Sequence, residues 1–237
     1  MLNQQSPEKR VLETVLDVQS IFATLQGEGP FCGTPAVFVR LAGCNLQCPG
    51  CDTDYTSKRR HMTVAEIVYQ VQMERTTCDP GLVVITGGEP FRQSIAPLIR
   101  ALVHDGFYVQ IETNGTLSTD NSFFTQRPDL RYGVYIVCSP KAGRVHPTIA
   151  SAACAFKYVM AADSVDQDDG LPVLALNHTA HPRVARPPKG YRGPIYLQPM
   201  DSQDEAINSL NRAVCVASCL RYGYVLQLQV HKLLGME

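Results

Sequence analysis

The chain has 237 residues, 45% of them hydrophobic and 18% charged, with a formal net charge of −1 at pH 7. That balance excludes a general nucleic-acid binder, which needs a basic face, and a disordered chain, which lacks the apolar content for a core. No apolar run approaches the roughly 18 residues needed to cross a bilayer, and Met1 to Arg10 is polar with no signal-peptide core, so no membrane contact and a cytoplasmic location are expected.

In chain order, Pro35 to Leu41 is β-branched and aromatic and reads as a strand. A Cys-, Gly- and Pro-rich loop, Gly43 to Tyr55, follows. Thr63-Val-Ala-Glu66 has the form of a capping box, with Val64, Ile67, Val68 and Val71 at helical spacing after it. Leu82 to Ile85 is a buried strand running into Thr86-Gly-Gly-Glu-Pro90. Ile95, Leu98, Ile99 and Leu102 give a second helix, stopped at Gly106. Tyr108 to Ile111 is a strand ending in Glu112-Thr-Asn-Gly115, and Tyr132 to Val137 one ending in Cys138-Ser-Pro-Lys141. Phe156 to Val159 and Ile195 to Leu197 are further strands, the latter followed by Gln198-Pro-Met-Asp201. A long helix, Ala206 to Tyr222, leads into a final strand, Val225 to Val230.

Strands alternating with helices imply βαβ units, hence an α/β fold on a parallel sheet, in a single domain spanning 1–237. Residues 161–193 break the rhythm with an Asp-rich run and then a Pro- and Arg-rich stretch from His181 to Arg192, and read as a surface insertion. Its Arg183, Arg186, Lys189 and Arg192 suit a solvated face or a docking patch for an acidic redox partner. Polar or Gly-rich residues appear directly after several strands. Parallel α/β folds bind ligands at the carboxyl ends of their strands, so these tetrads are expected to share one rim.

Nine cysteines is an odd number, and without a secretion signal a disulfide framework is not expected. Cys44-x3-Cys48-x2-Cys51 lies in the loop after the first strand. A structural zinc site wants four ligands, and only three are close; His61 lies ten residues beyond Cys51. Three thiolates on a four-iron cluster leave one iron open to a ligand. A three-cysteine zinc or redox site remains the other reading of the same residues. Cys32, Cys78, Cys138, Cys154, Cys215 and Cys219 read as small apolar fillers.

The Cys44-x3-Cys48-x2-Cys51 spacing resembles the signature of the radical S-adenosylmethionine (SAM) enzymes. Gly87-Gly-Glu-Pro90 is similar to the segment with which that family holds the SAM amino group. The resemblance implies a partial (β/α) barrel with the 161–193 segment as an insertion, a [4Fe–4S] cluster on Cys44, Cys48 and Cys51, and SAM on the open iron. It further implies cleavage of SAM to a 5′-deoxyadenosyl radical. Glycines without a Cβ let backbone approach such a ligand, and Glu89 can accept from an ammonium group.

A second set of residues narrows the resemblance. Leu25-Gln-Gly-Glu-Gly29, Arg40-Leu-Ala-Gly-Cys44, Cys51-Asp-Thr53 and Ser139-Pro-Lys141 together resemble the 7-carboxy-7-deazaguanine synthases, over about Ile21 to Gln198. This implies a lyase of queuosine and 7-deazapurine biosynthesis that converts 6-carboxy-5,6,7,8-tetrahydropterin to 7-carboxy-7-deazaguanine with loss of ammonia. By position, Thr53 matches the magnesium-contacting residue of that family, consistent with Mg2+ as a hard, oxygen-preferring ion. Gly50, Cys51, Asp52, Gly88, Glu89, Thr113, Asn114, Ser139, Pro140, Lys141 and Gln198 match SAM-contacting positions. Leu25, Gln26, Gly27, Glu28, Arg40 and Thr86 match the pterin pocket, where Gln26 offers donors and acceptors and Arg40 suits a carboxylate.

A homodimer and a flavodoxin-type electron donor are the partners implied, with no nucleic acid. The family's C-terminal carboxylate can reach substrate, which here would involve Leu234-Gly-Met-Glu237; His231 and Lys232 suit either the pocket or the surface. A glycyl-radical-enzyme activase would share the cysteine spacing but lack the Gln26 and Arg40 set, and a non-catalytic iron–sulfur or zinc module would need a fourth protein ligand.

Overall fold

A computed structural model describes residues 15–75, 81–118, 133–176 and 183–236. Its frame is one nine-stranded sheet: β1 (Val15–Leu25), β2 (Pro35–Leu41), β3 (Arg60–Thr63), β4 (Leu82–Gly87), β5 (Tyr108–Thr113), β6 (Val134–Cys138), β7 (Ala153–Met160), β8 (Ile195–Pro199) and β9 (Val225–Leu226). The order is β3-β1-β2-β4-β5-β6-β7-β8-β9. From β2 to β9 every pair is parallel, whereas β1 runs antiparallel to both β2 and β3. The two end strands do not pair among the described residues, so the sheet is an open, partial barrel.

The helices α1 (Val64–Glu74), α2 (Ala96–His104), α3 (Pro147–Ala152), α4 (Glu205–Tyr222) and α5 (Val230–Leu233), with the 3-10 turns Gly29–Phe31 and Pro90–Arg92, complete the described elements. The capping box forms as the sequence predicts: the Glu66 N–H donates to the Thr63 hydroxyl at 3.2 Å and the Thr63 N–H to the Glu66 carboxylate at 2.7 Å. Gly106 takes a left-handed φ of +86° after α2, the conformation that stops a helix at least cost in glycine. No helix among the described residues is long and apolar enough to cross a membrane.

Alternation along the strands divides the side chains between two faces. Val39, Leu41, Val83, Ile85, Val109 and Ile111 point outward and pack with Ile67, Val71, Leu98 and Leu102 of α1 and α2 in the main core. On the concave face Ala36, Leu82 and Val84, with Phe31 and Phe38, form a separate apolar plug. Toward the carboxyl ends that face turns polar, through Arg40, Thr86, Gln110, Glu112, Lys157 and Gln198.

Four expectations change. An eleven-residue N-terminal strand, β1, stands where no strand was predicted, and the short polar β3 pairs with it. The predicted strand Val225 to Val230 ends at Leu226, because the Gln227 side chain turns in to accept from the Gly29 N–H at 2.7 Å and donate to the Gly27 carbonyl at 3.2 Å. The chain then leaves the sheet edge and enters α5. The 161–193 segment is more than a surface insertion: Leu171, Ala175 and Val184 are buried in the core. Arg186 is held at 2.7 Å by Asp169, and Arg183 is paired with Asp166, so two of its basic residues already have partners. Of the cysteines expected to fill apolar space, Cys138 and Cys215 are buried, but Cys32 is exposed, with its thiol on the Gly27 carbonyl. Cys78, Tyr132, His181 and Glu237 lie outside the described residues.

Candidate active site

A cleft of about 430 Å3 opens at the carboxyl ends of the parallel strands, above the apolar plug. Cys44, Cys48 and Cys51 line it together, and so do Leu25, Gln26, Glu28, Arg40, Gly50, Asp52, Thr53, Thr86, Gly88, Thr113, Asn114, Ser139, Lys141 and Gln198. Residues far apart in sequence meet there because each follows or ends a neighbouring strand.

The cysteine loop is held from three sides. The Gly43 N–H donates to the Tyr55 carbonyl at 3.0 Å, and the buried Tyr55 hydroxyl reaches Leu46. Asn45 accepts from the Asn114 amide at 3.0 Å and donates to the Thr116 hydroxyl at 2.8 Å, tying the loop to the end of β5. The Gly50 N–H donates to the Leu176 carbonyl at 3.1 Å, so the 161–193 segment supplies a contact to this loop. Gly88 lies against its start: a Cβ there would sit 2.1 Å from the Gly43 carbonyl oxygen and 2.7 Å from the Cys44 nitrogen. Gly87 has a φ of +131°, with the Leu41 carbonyl 2.1 Å from where a Cβ would stand. The two glycines are therefore required by backbone-to-backbone approach.

The three thiols are free. Burial pushes the Cys44 thiol up to about 12, with Glu89, Cys48 and Cys51 adding to the rise. Burial likewise raises Cys48 and Cys51, and the Lys141 ammonium works in the opposite direction at both. Thiols so arranged favour binding a positively charged centre over ionising alone. Among the described residues no three His, Cys, Asp or Glu side chains gather tightly enough for one metal ion. A cubane gives each thiolate its own iron, so its ligands need to line a common cavity, not a common point. Gln198 adds a buried amide oxygen without a hydrogen-bond partner in the cleft wall, an acceptor suited to a bound ligand. The donor set thus fits a [4Fe–4S] cluster with a polar cofactor beside it.

Three of the sequence-predicted residues do not line the cleft: Gly27, Glu89 and Pro140. Gly27 packs against the His231 ring, and its carbonyl accepts from Gln227. Pro140 is buried behind Ser139. Glu89 is fully buried, and its two oxygens accept from the Thr113 hydroxyl at 2.8 Å, the Asn114 N–H at 2.7 Å and the Phe91 N–H at 3.1 Å. Burial pushes its pKa up to about 7 despite those donors. Glu89 here organises the ends of β4 and β5; the 3-10 turn Pro90–Arg92 that it caps directs the side chain inward.

Sequence reading missed several lining residues. Lys157, Gln229, Leu176, Met200 and Asp201 line the cleft, and so does Glu112, for which the sequence predicts a place on the rim but no role. Lys157 is paired with Glu28 and stands 3.7 Å from Glu112. Burial works against its charge, yet Glu112 and Glu28 hold its pKa above the usual lysine range. The signal was a lysine inside the otherwise apolar strand Phe156 to Val159. His231 and Lys232 line the cleft as well, and Lys232 is at the same time exposed to solvent. Arg40 lies with its guanidinium 5.1 Å over the Phe22 ring, a platform that orients its planar head.

The radical SAM superfamily pattern matches residues 38–127. The chain is 46% identical over 224 residues to the 7-carboxy-7-deazaguanine synthase of Rhodospirillum rubrum, covering 92% of this chain and 91% of that one. It is 36% identical to the synthase of Rickettsia prowazekii, over 98% and 94% of the two chains. The crystal structure of QueE from Escherichia coli superposes with a TM-score of 0.63 at 23% identity, covering 91% of this chain and 94% of that one, and shares the fold. Matches of this identity and extent place the chain in the 7-carboxy-7-deazaguanine synthase family of radical SAM proteins.

Proposed function

We propose that the cleft converts 6-carboxy-5,6,7,8-tetrahydropterin to 7-carboxy-7-deazaguanine with loss of ammonia, as a radical SAM lyase of queuosine biosynthesis. One observation carries this reading: the cysteine triad and the Gln26, Glu28 and Arg40 set line the same cleft. The relatives named above favour it over the activase and the non-catalytic metal module.

Cys44, Cys48 and Cys51 would hold the cluster and leave one iron for SAM. When bound, this pair would supply radical chemistry for hydrogen abstraction from the substrate. The remaining work falls to the chain's own side chains. Gly88 and Gly50 line the SAM side of the cleft, and Asp52, Thr113, Asn114, Ser139, Lys141 and Gln198 offer it polar partners. Glu89 supports that group by fixing Thr113 and Asn114. Gln26, Glu28 and Thr86 bind the pterin edge beside Leu25, with Gly27 keeping the backbone of that turn in place. Arg40 binds the substrate carboxylate through two parallel hydrogen bonds. Thr53, beside Asp52 at the mouth of the cleft, would give Mg2+ a hydroxyl ligand, the substrate supplying further oxygens. The apolar plug and α5 limit water in the cleft, which suppresses side reactions of a radical.

We further infer a homodimer, supported by exposed Ile207, Leu210 and Leu220 on α4, and an external one-electron donor of flavodoxin type. Light scattering checks the first, and reduction by a purified flavodoxin the second. The central test is anaerobic reconstitution with iron and sulfide, then assay with dithionite, SAM and the carboxytetrahydropterin. Formation of 7-carboxy-7-deazaguanine supports the reading. SAM cleavage without that product points to an activase, and absence of SAM binding to a metal module.

A further inference from the structure

Four polar residues on the cleft wall, Gln26, Glu28, Glu112 and Lys157, form a closed ring. The Gln26 Nε2 donates to Glu112 Oε1 at 3.0 Å. Lys157 stands 3.7 Å from Glu112 and is hydrogen-bonded to Glu28. The Glu28 backbone N–H donates to Gln26 Oε1 at 3.1 Å, which completes the circuit. Gln110 donates to Glu112 at 3.0 Å and Gln229 to Glu28 at 2.8 Å from outside it.

The ring has a direction. Gln26 has one acceptor and one donor end, and each end has a partner of fixed polarity, so its amide can sit only one way round. That holds only while Glu112 remains an acceptor. Glu28 and Glu112 carry two negative charges in a buried wall, and Lys157, at the centre, is the cation between them. Lys157 itself is buried, and an unpaired cation or carboxylate there would be costly. Both carboxylates keep acceptor capacity to spare, since each can take about four hydrogen bonds.

We propose that Lys157 is a positioning residue for the pterin: it holds Glu28 and Glu112 as a fixed pair of acceptors for the N–H groups of the aminopyrimidinone edge, and through Glu112 sets the orientation of the Gln26 amide. The proposal rests on the deazaguanine-synthase reading of the cleft. A salt bridge serving only the fold has no reason to be ringed by the Gln26-Gly-Glu28 turn and to line the ligand cavity. Electrostatics agree with the geometry. Burial works against the charge on Glu28, yet Lys157 and Gln229 keep its pKa below the usual range. The other charged groups near Glu28 are Asp52 in the cysteine loop, Glu112 on β5 and Lys141 beyond β6; the His231 ring packs against the adjacent Gly27.

The test compares wild type, Lys157→Met and Lys157→Arg as reconstituted enzymes, with KM and kcat for the pterin and KM for SAM. Alongside, calorimetry measures binding of 7-carboxy-7-deazaguanine to the cluster-free proteins between about pH 6 and 9. Lys157→Met is expected to weaken pterin and product binding on the order of ten- to a hundredfold, with SAM affinity unchanged. Its product affinity should fall as pH is lowered, because Glu28, deprived of the lysine that favours its charge, then takes up a proton, whereas wild type stays flat. Lys157→Arg recovers most of the loss. Lys157→Met with wild-type product affinity and a flat profile overturns the proposal, and so does an equal loss for SAM and product. If Lys157→Met does not fold, Glu112→Gln serves, since it leaves the Glu28 partner of Lys157 in place; wild-type product affinity in that variant is equally fatal. A wild-type enzyme that turns over SAM but makes no deazaguanine defeats the functional reading instead.

Discussion

Lys232 reaches Asp52 at 2.9 Å, which ties α5 to the loop that carries the three cysteines. Asp52 is the residue directly after Cys51, so the C-terminal segment is fastened to the part of the cleft expected to carry the cluster. Burial opposes the Asp52 charge, but the Lys232 hydrogen bond and charge outweigh it and lower its pKa.

Both side chains of this pair are partly exposed, at 35% and 57%, so solvent screens it to no more than about 1 kcal/mol. Lys232→Met is therefore expected to leave the melting temperature almost unchanged while loosening α5. Hydrogen exchange should report amide exchange in Val230–Leu233 up to about fivefold faster, and high salt should produce a similar change in wild type. No change in exchange would show that the other contacts hold α5 by themselves.

Serine at Cys44, Cys48 or Cys51 should each reduce iron and sulfide loading to background and abolish SAM cleavage. Cys219→Ala, on the far side of the sheet edge in α4, should leave iron content unaffected. Iron analysis and visible absorbance after anaerobic reconstitution separate the two groups of variants. Full loading in any one serine variant would remove that cysteine from the ligand set.

Gly88→Ala places a methyl group 2.1 Å from the Gly43 carbonyl oxygen. Backbone cannot swing aside as a side chain can, so the cysteine loop must shift. The expected result is a loss of cluster loading together with destabilisation of about 1–3 kcal/mol. Gly133→Ala is the control, since its nearest contact would be an ordinary 3.5 Å to Val103. Thermal denaturation and iron content of the two variants give the comparison.

Glu89 yields a pH prediction. Its pKa rises from 4.5 to about 7 on burial, so between those values the folded protein holds a proton that the unfolded chain has released. The sign follows: stability falls as pH rises through that window, by up to about 3 kcal/mol, and the loss is complete above about pH 7. Glu89→Gln lacks this dependence but sets an amide N–H against one of the three donors, at a cost of about 1–3 kcal/mol. Calorimetry of the cluster-free proteins should find wild type losing melting temperature relative to the variant between about pH 5 and 8, so that its advantage at pH 5 shrinks, closes or reverses. A constant gap would place the Glu89 pKa in the ordinary carboxylate range.

Residue pattern alone carried much of the architecture. The runs Leu82 to Ile85, Tyr108 to Ile111 and Phe156 to Val159 lie within strands, and the helices at Thr63, Ile95 and Ala206 form close to their expected bounds, because apolar period and capping chemistry are local properties. The ligand-bearing motifs were legible for a related reason: Cys44-x3-Cys48-x2-Cys51 and Gly87-Gly-Glu-Pro90 are contiguous. The long strand β1 was not, since its alternation is interrupted at Val15-Leu16, Gln19-Ser20 and Ile21-Phe22, and a bulge between Val18 and Ser20 shifts its register.

What the sequence by itself determined, then, is the set of strands and helices that short-range pattern controls and the chemistry of each motif. Only the tertiary structure decided which motifs share a wall. Lys157 meets Glu28 across 129 positions and Gln229 meets Glu28 across 201; Glu89 turns away from the cleft to fix the strand ends; and the last predicted strand gives way to α5 over the cavity. These outcomes depend on parallel strands bringing their carboxyl ends to one rim, where burial and unlike charge select partners that no local spacing encodes.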